Sequence, residues 1–291
     1  MFSNQDLVAF LAVADFGSVR SAAEALHRTQ PAVTQAIRRL EGSSGLVLLD
    51  RSSYRAKLTD HGERFVERAR SIVRELRGLK DLSALLSGGI EPRIRLALDC
   101  AIPEKHWIPL VESFAHLHSQ TEVEIEVGEG SSIRPRLIAG DIDLAILFDT
   151  GVDQPTIALE SIAIGQVEFS NVICTDQADK LMAAHSTLPQ ILVVDFNDLS
   201  TAYGLVEGRH YWRVSDHRMQ SALIQQGLGW GSVPRYLVSA ALESGVLTAF
   251  SYQGLSEYSA HNCSLYRRRH CVIGPVCSSL WTFAKTVVAG A

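Results

Sequence analysis

Apolar positions near the N-terminus recur at helical spacing. Leu7, Phe10, Leu11 and Ala14 share one face of a segment from Gln5 to Ala14, and Val33, Ile37 and Leu40 share one face of a segment from about Gln30 to Glu41. Between them Gly17 and Ser18 open a short helix. Thr29 or Gln30 caps the next, with Pro31 in its first turn, where a missing N–H costs little. The pattern predicts three helices. The last turns its apolar face to a core and leaves an opposite arc of Gln30, Thr34, Gln35, Arg38 and, at the edge, Arg39. Gly42, Ser43, Ser44 and Gly45 predict its end, and Leu46 to Arg51 and Tyr54 to Leu58 read as two short strands around Asp50 to Ser53, a wing.

A longer period follows. Thr59 and Asp60 start a helix in which Phe65, Ala69, Ile72, Leu76, Leu79 and Leu86 advance by alternating steps of four and three, with polar Ser83 in the remaining slot. This heptad seam predicts pairing with a second copy; packing on the chain's own C-terminal domain is the alternative. Gly88, Gly89 and Pro92 mark a hinge. Beyond it strands alternate with helices: Ile94 to Leu98, helix from about Pro103 to His118, Val123 to Val127, helix Ser132 to Ala139, and Leu144 to Phe148. Val167 to Thr175, Ile191 to Val194 and Trp212 to Ser215 continue the style, with helices near His217 to Gln226 and Pro234 to Glu243. Ser264 to Val272 and a helix around Ser279 to Val288 return to the first lobe. Such alternation predicts a parallel sheet with helices on both faces.

The expected organisation is therefore α/β: a winged helix-turn-helix domain over 1–58, a linker and dimerisation helix with hinge over 59–89, and a two-lobed domain over 90–291. Lobe I takes about 90–165 and 264–291, and lobe II about 166–263.

The polar arc suits the major groove: arginine reads guanine edges or grips phosphate, glutamine reads adenine, and threonine does either. Arg55 and Lys57 share a strand face and suit phosphates, although basic residues also favour solvated strand edges. Net charge is −5, which by itself speaks against a nucleic-acid partner, but the charge is segregated. Residues 1–90 hold 13 Lys+Arg against 10 Asp+Glu, a net of +3, and the remainder a net of −8.

In open α/β sheets ligands sit beyond the carboxyl ends of strands, near helix N-termini. The expected cleft residues are Cys100, Ala101 and Ile102 after the first strand, Ser131 and Ser132 after the second, Phe148, Thr201, and Ser215. For any one of them, simply ending a strand is an even alternative.

GEGSSI at 128–133 and GLGWGS at 227–232 both fail the dinucleotide fingerprint at the third glycine, and the second reads as a tight turn. No Walker lysine motif, G-x-S-x-G elbow or H-E-x-x-H occurs. The pair His116/His118 diverges on a helix, and Glu124/Glu126 share a strand face without an expected partner. No catalytic or metal-binding residue is expected, and no cofactor beyond an unidentified small-molecule effector. Without an apolar run long enough to span a bilayer or a basic leader before an apolar core, the chain is expected to be cytoplasmic, with no membrane partner.

FLAVADFGSVRSAAEALHRTQPAVTQAIRRLE, followed by GLVLLDR and LTDHGERF, resembles the N-terminal domain of the LysR-type transcriptional regulators over roughly the first 90 residues. IQQGLGWGSVP, Ile224 to Pro234, resembles a turn in the same family's effector domain, which is itself similar to periplasmic solute-binding proteins. The resemblance implies a transcriptional regulator that binds double-stranded DNA as a dimer or tetramer and responds to a small-molecule effector, with RNA polymerase held open as a further partner. It places DNA contacts at Ser18, Arg28, Gln30, Pro31, Thr34, Gln35, Arg38, Arg39, Arg51 and Arg55. Some family members sense peroxide through a cysteine pair, and Cys271 with Cys277 is the closest pair here. Two departures stand out. Ser44 and Leu49 replace bulkier residues, which implies a looser join to the wing. Cys100 and Ala101 replace the serine or threonine that relatives offer to acidic ligands. The alternative class is a stand-alone small-molecule binding protein whose N-terminal domain serves assembly.

Overall fold

The computed structural model describes residues 2–50, 56–115, 117–149, 158–182, 187–194, 203–269 and 271–289. They form two units, Met1–Ser83 and Ala84–Ala291. Predictions on Arg51, Tyr54, Arg55, His116 and Thr201 lie outside the described residues.

In the first unit, α1 (Asn4–Phe16) starts at a capping box. The Ser3 hydroxyl accepts the Asp6 N–H, and the Asp6 carboxylate accepts the Ser3 N–H at 2.9 Å. Ser18 caps α2 (Val19–Ala25), and Thr29 caps α3 (Gln30–Ser44) with Pro31 in its first turn. Contrary to expectation, α3 runs through Gly42 and Ser43 and stops only at Gly45, whose left-handed φ of 71° no side-chain-bearing residue adopts cheaply.

Strands β1 (Leu49–Asp50) and β2 (Lys57–Leu58) pair antiparallel and are shorter than predicted. The join to the wing is not loose. Glu41 of α3 accepts the N–H groups of Leu48 (2.9 Å) and Leu49 (3.2 Å), and both leucines are buried. The smaller side chains at 44 and 49 are thus offset by a carboxylate bridge.

The Thr59 hydroxyl accepts the Gly62 N–H at 3.0 Å and starts α4 (Asp60–Gly88), about 43 Å long at 1.5 Å per residue. Its heptad seam divides in two. Ala69 is buried, and Phe65 packs edge-on against Phe10 in a core with Val33, Ile37 and Leu40, so these two positions serve the unit's own interior. Ile72 and Leu76 stand 37% exposed, Leu79 62% and Leu86 76%.

The second unit is a mixed sheet. Strands β3 (Arg93–Asp99), β4 (Glu122–Gly128) and β5 (Leu144–Phe148) pair in parallel, with α5 (Glu104–Ala115) and α6 (Gly130–Ala139) as crossovers. β6 (Leu159–Cys174) is followed by a 3-10 turn and α7 (Ala178–Met182). Next come β7 (Gln190–Val193), β8 (Tyr211–Val214), α8 (His217–Gln225), β9 (Trp230–Pro234), α9 (Arg235–Glu243), β10 (Leu247–Ala249), β11 (Tyr258–Arg268) and α10 (Pro275–Ala289). The strand order is β4-β3-β5-β11-β6-β9-β7-β8, with β10 beside β6.

The prediction of a wholly parallel sheet fails at β6 and β11. These long antiparallel strands run through both lobes, and their register shifts between Cys263 and Ser264. Leu96, Leu98, Ile146 and Leu280 belong to a lobe I core, and Val172, Ile191, Val214 and Val233 to a lobe II core. On β4 the two glutamates do find partners: Glu124 pairs with Arg93 at 2.8 Å and Glu126 with Arg136 at 2.6 Å.

Candidate nucleic-acid interface and interlobe effector site

The face of α3 that carries Val33, Ile37 and Leu40 is 0–1% exposed. Burying those three side chains drives α3 onto α1 and α2, and the same periodicity forces the opposite arc outward. Gln30, Gln35 and Arg38 are exposed and Thr34 is half-buried. Gln35 and Arg38 make no hydrogen bond or ion pair among the described residues, so their donors are open to an external partner. Arg28 is exposed in the turn before α3, where His27 holds a left-handed φ of 50° and closes α2 through the Arg28 N–H to Ala23 carbonyl bond of 2.8 Å.

Two expected contacts are differently placed. Arg39 donates to the Asp6 carboxylate through Nε (3.1 Å) and a terminal nitrogen (2.7 Å), tying α3 to α1. Burial pushes the Asp6 carboxyl up, but Arg39 and the Ser3 bonds outweigh it and hold the group below its ordinary value. The Ser18 hydroxyl is engaged with Ser21 at the start of α2. Both residues fix the arc's position from behind.

The expected cleft residues separate into core and rim. Ala101 and Ile102 are buried in the lobe I core and are not open to a ligand, a correction that follows from the chain turning inward after β3. Cys100 instead packs against the lobe II core, so one turn bridges the lobes. The Ser131 hydroxyl is bound to the Glu129 carboxylate, the Ser132 hydroxyl donates to the Glu129 carbonyl at 2.8 Å, and Ser215 is exposed beside Asp216. Phe148 ends β5 as part of a ring cluster: its centroid lies 5.1 Å from Phe169, 5.6 Å from Tyr203 and 5.8 Å from His261. Phe169 also meets His217 at 5.7 Å.

Sequence reading did not find Asp99, Glu129, Asp216, Tyr203, His217 or His261. Asp216 alone left a local signal, an N-cap aspartate before α8. Asp99 is buried, and burial, joined by Glu129, pushes its carboxyl up to about 7 against hydrogen bonds from Ala101 and Gly130. Burial drives His217 down to about 4 and leaves it neutral. The Cys100 thiol is pushed well up by burial and by the fields of Asp99, Glu129 and Asp216, and burial likewise raises Cys277. All five cysteines are free, and these two thiols are poor sources of thiolate.

Residues 4–63 match the family model of the bacterial regulatory helix-turn-helix protein, lysR family, and residues 87–289 match that of the LysR substrate binding domain. The RuBisCO operon transcriptional regulator of Allochromatium vinosum is 30% identical over 269 residues, which cover 88% of this chain and 87% of that protein. Among solved structures, full-length CbnR complexed with its target DNA superposes with a TM-score of 0.61 at 21% identity, over 98% of this chain and 100% of that one. Full-length LysG from Corynebacterium glutamicum with bound effector Arg superposes with a TM-score of 0.52 at 20% identity, over 99% of each chain. At such identity both likenesses concern the fold.

Proposed function

From the premise that the chain belongs to the LysR-type transcriptional regulators, we propose that Gln30, Thr34, Gln35 and Arg38 read bases in the major groove while Arg28, Arg51 and Arg55 position the protein on phosphates. The observation that carries this reading is the outward arc of α3, whose Gln35 and Arg38 side chains have no partner among the described residues while the opposite face is closed. Arg39 acts as a strut through Asp6.

The protein works as a dimer, or a pair of dimers, joined through the exposed half of the α4 seam. In support, Ile72 borders a hollow of about 330 Å³ whose apolar floor of Phe2, Leu7, Leu46 and Phe65 is edged by His61, Arg64 and Arg68, a surface suited to a second copy. Two recognition helices about 34 Å apart then read half-sites one turn apart. The effector binds where the lobes meet around Cys100 and Phe148, and it shifts DNA binding only through unequal affinity for two lobe arrangements. No residue is assigned a catalytic role. Among the described residues no helix is long and apolar enough to cross a membrane, and a cytoplasmic protein acting at promoters, with RNA polymerase as a further partner, is the reading we adopt.

Selection from randomised duplexes by the full chain tests the assignment. The wild type is expected to enrich two-fold-related half-sites. Arg38→Ala is expected to lose about 2 kcal/mol of binding and to relax one base preference per half-site. An enriched set identical for both proteins contradicts it.

A further inference from the structure

A hollow of about 250 Å³ opens in the second unit where the start of α5, the middle of β6 and the first turns of α9 converge. α5 packs in the lobe I core through Leu110 and α9 in the lobe II core through Val238, so the hollow is walled by both lobes across a strand they share. Buried Pro103 and Val167 supply its apolar part. The His106 ring nitrogen meets the Gln166 carbonyl at 3.1 Å and ties α5 to β6 at its edge. Smaller than the roughly 300 to 1,000 Å³ of sites that take drug-sized ligands, the hollow suits a compact guest.

Its polar groups are mostly donors. Lys105 from lobe I, and Tyr236 and Ser239 from lobe II, line it with side chains that make no hydrogen bond or ion pair among the described residues. Burial and the Glu104 carboxylate push the Tyr236 hydroxyl up to about 12, so it keeps its proton and can donate. Glu104 itself, the neighbour of Lys105, is engaged by Arg218 of α8 at 3.1 Å. Arg235 lies over the Tyr258 ring, 4.7 Å from its centroid, and its Nε stands 3.9 Å from the carboxylate of Glu168, the acid of the lining. Two cations and two hydroxyls against one carboxylate leave a positive seat beside an apolar floor. Such donors, an ammonium and hydroxyls with a guanidinium at the edge, match the several acceptor oxygens of one oxyanion.

We propose that this hollow binds the carboxylate or phosphate group of a small metabolite between Lys105 on lobe I and Arg235, Tyr236 and Ser239 on lobe II, and that the bound anion clamps the lobes and so changes DNA affinity. Because its donors come from both lobes, the anion favours the arrangement that brings them together and shifts DNA binding through that difference in affinity. The site is separate from the proposed effector site: neither Cys100 nor Phe148 lines it.

Calorimetry on the full chain tests the site, with potassium phosphate, sodium succinate and putrescine dihydrochloride compared with potassium chloride at equal ionic strength. Binding to a duplex is measured alongside. Phosphate or succinate is expected to bind saturably and to change DNA affinity beyond what chloride does; the one that binds tells a phosphate ligand from a carboxylate. Lys105→Gln, at an exposed position, should melt with the wild type yet weaken the anion by at least about tenfold, and Tyr236→Phe should weaken it in the same direction. Anion binding unchanged by Lys105→Gln overturns the site, since the anion then sits elsewhere, as on the basic head. Binding of putrescine with silence from both anions overturns the charge assignment, and silence from all three overturns the proposal while leaving the effector reading around Cys100 and Phe148 untouched. Anion binding that Lys105→Gln abolishes but that leaves DNA affinity at its chloride value overturns the clamp.

Discussion

Gly62→Ala is expected to destabilise the DNA-binding head strongly, so that it melts well before the rest of the chain, and to weaken specific DNA binding. A Cβ at position 62 would lie 2.1 Å from the Leu48 carbonyl oxygen and 3.1 Å from its carbon, a backbone group that cannot swing aside. Relief requires separating α4 from the wing entrance, where Leu48 is fully buried and held by Glu41. Overpacking of this kind costs up to about 3 kcal/mol, a large part of the stability of a small unit. The signals separate cleanly, because all four tryptophans (Trp107, Trp212, Trp230 and Trp281) belong to the second unit. Circular dichroism should show an early helix-melting step at which tryptophan emission does not change. A variant that melts as one with the wild type would show that the junction is not as close as described.

The second large effect is a hidden pH dependence of the effector unit. His217 has its pKa depressed by burial to about 4, so it contributes stability present above the ordinary value of 6.5 and lost as pH falls through 4. Asp99 has the opposite sign: raised to about 7, it contributes stability present below its ordinary value of 3.8 and lost as pH rises through 7. Between pH 7 and 4 the two trends oppose each other, and the wild type should change little. Asp99→Asn removes one of them. Its effector unit is expected to lose about 3 kcal/mol on acidification from pH 6.5 to 4, read by tryptophan emission in denaturant titrations. Parallel pH profiles for the variant and the wild type would sink the pairing.

Much of the head was legible because its signals are local. The Val33, Ile37 and Leu40 spacing, the Thr29 cap and Pro31 describe α3 without reference to anything distant. What escaped depends on contacts remote in sequence. Arg39 reads as one more groove-facing cation until Asp6, 33 residues earlier, is seen to accept it. Phe65 and Ala69 satisfy a heptad and also a core, and only packing against Phe10 separates the two. In the second unit strand ends were visible, but not that the turn after β3 faces inward, burying Ala101 and Ile102 while Cys100 crosses to the other lobe. Phe148, Phe169, Tyr203, His217 and His261 are scattered over more than a hundred residues, and nothing local marks them as neighbours. β6 and β11 begin at Leu159 and Tyr258, well before the expected strands, and β11 ends at Arg268 rather than Val272.

The central claim is that the arc of α3 enters duplex DNA. A salt titration of binding by the full chain to a duplex taken from the randomised selection tests it most directly. The expected result is an affinity that falls linearly with salt on logarithmic axes, by about 0.9 for each phosphate neutralised, and that is displaced downward by Arg38→Ala throughout. Binding that is insensitive to salt, or unmoved by that substitution, would contradict it.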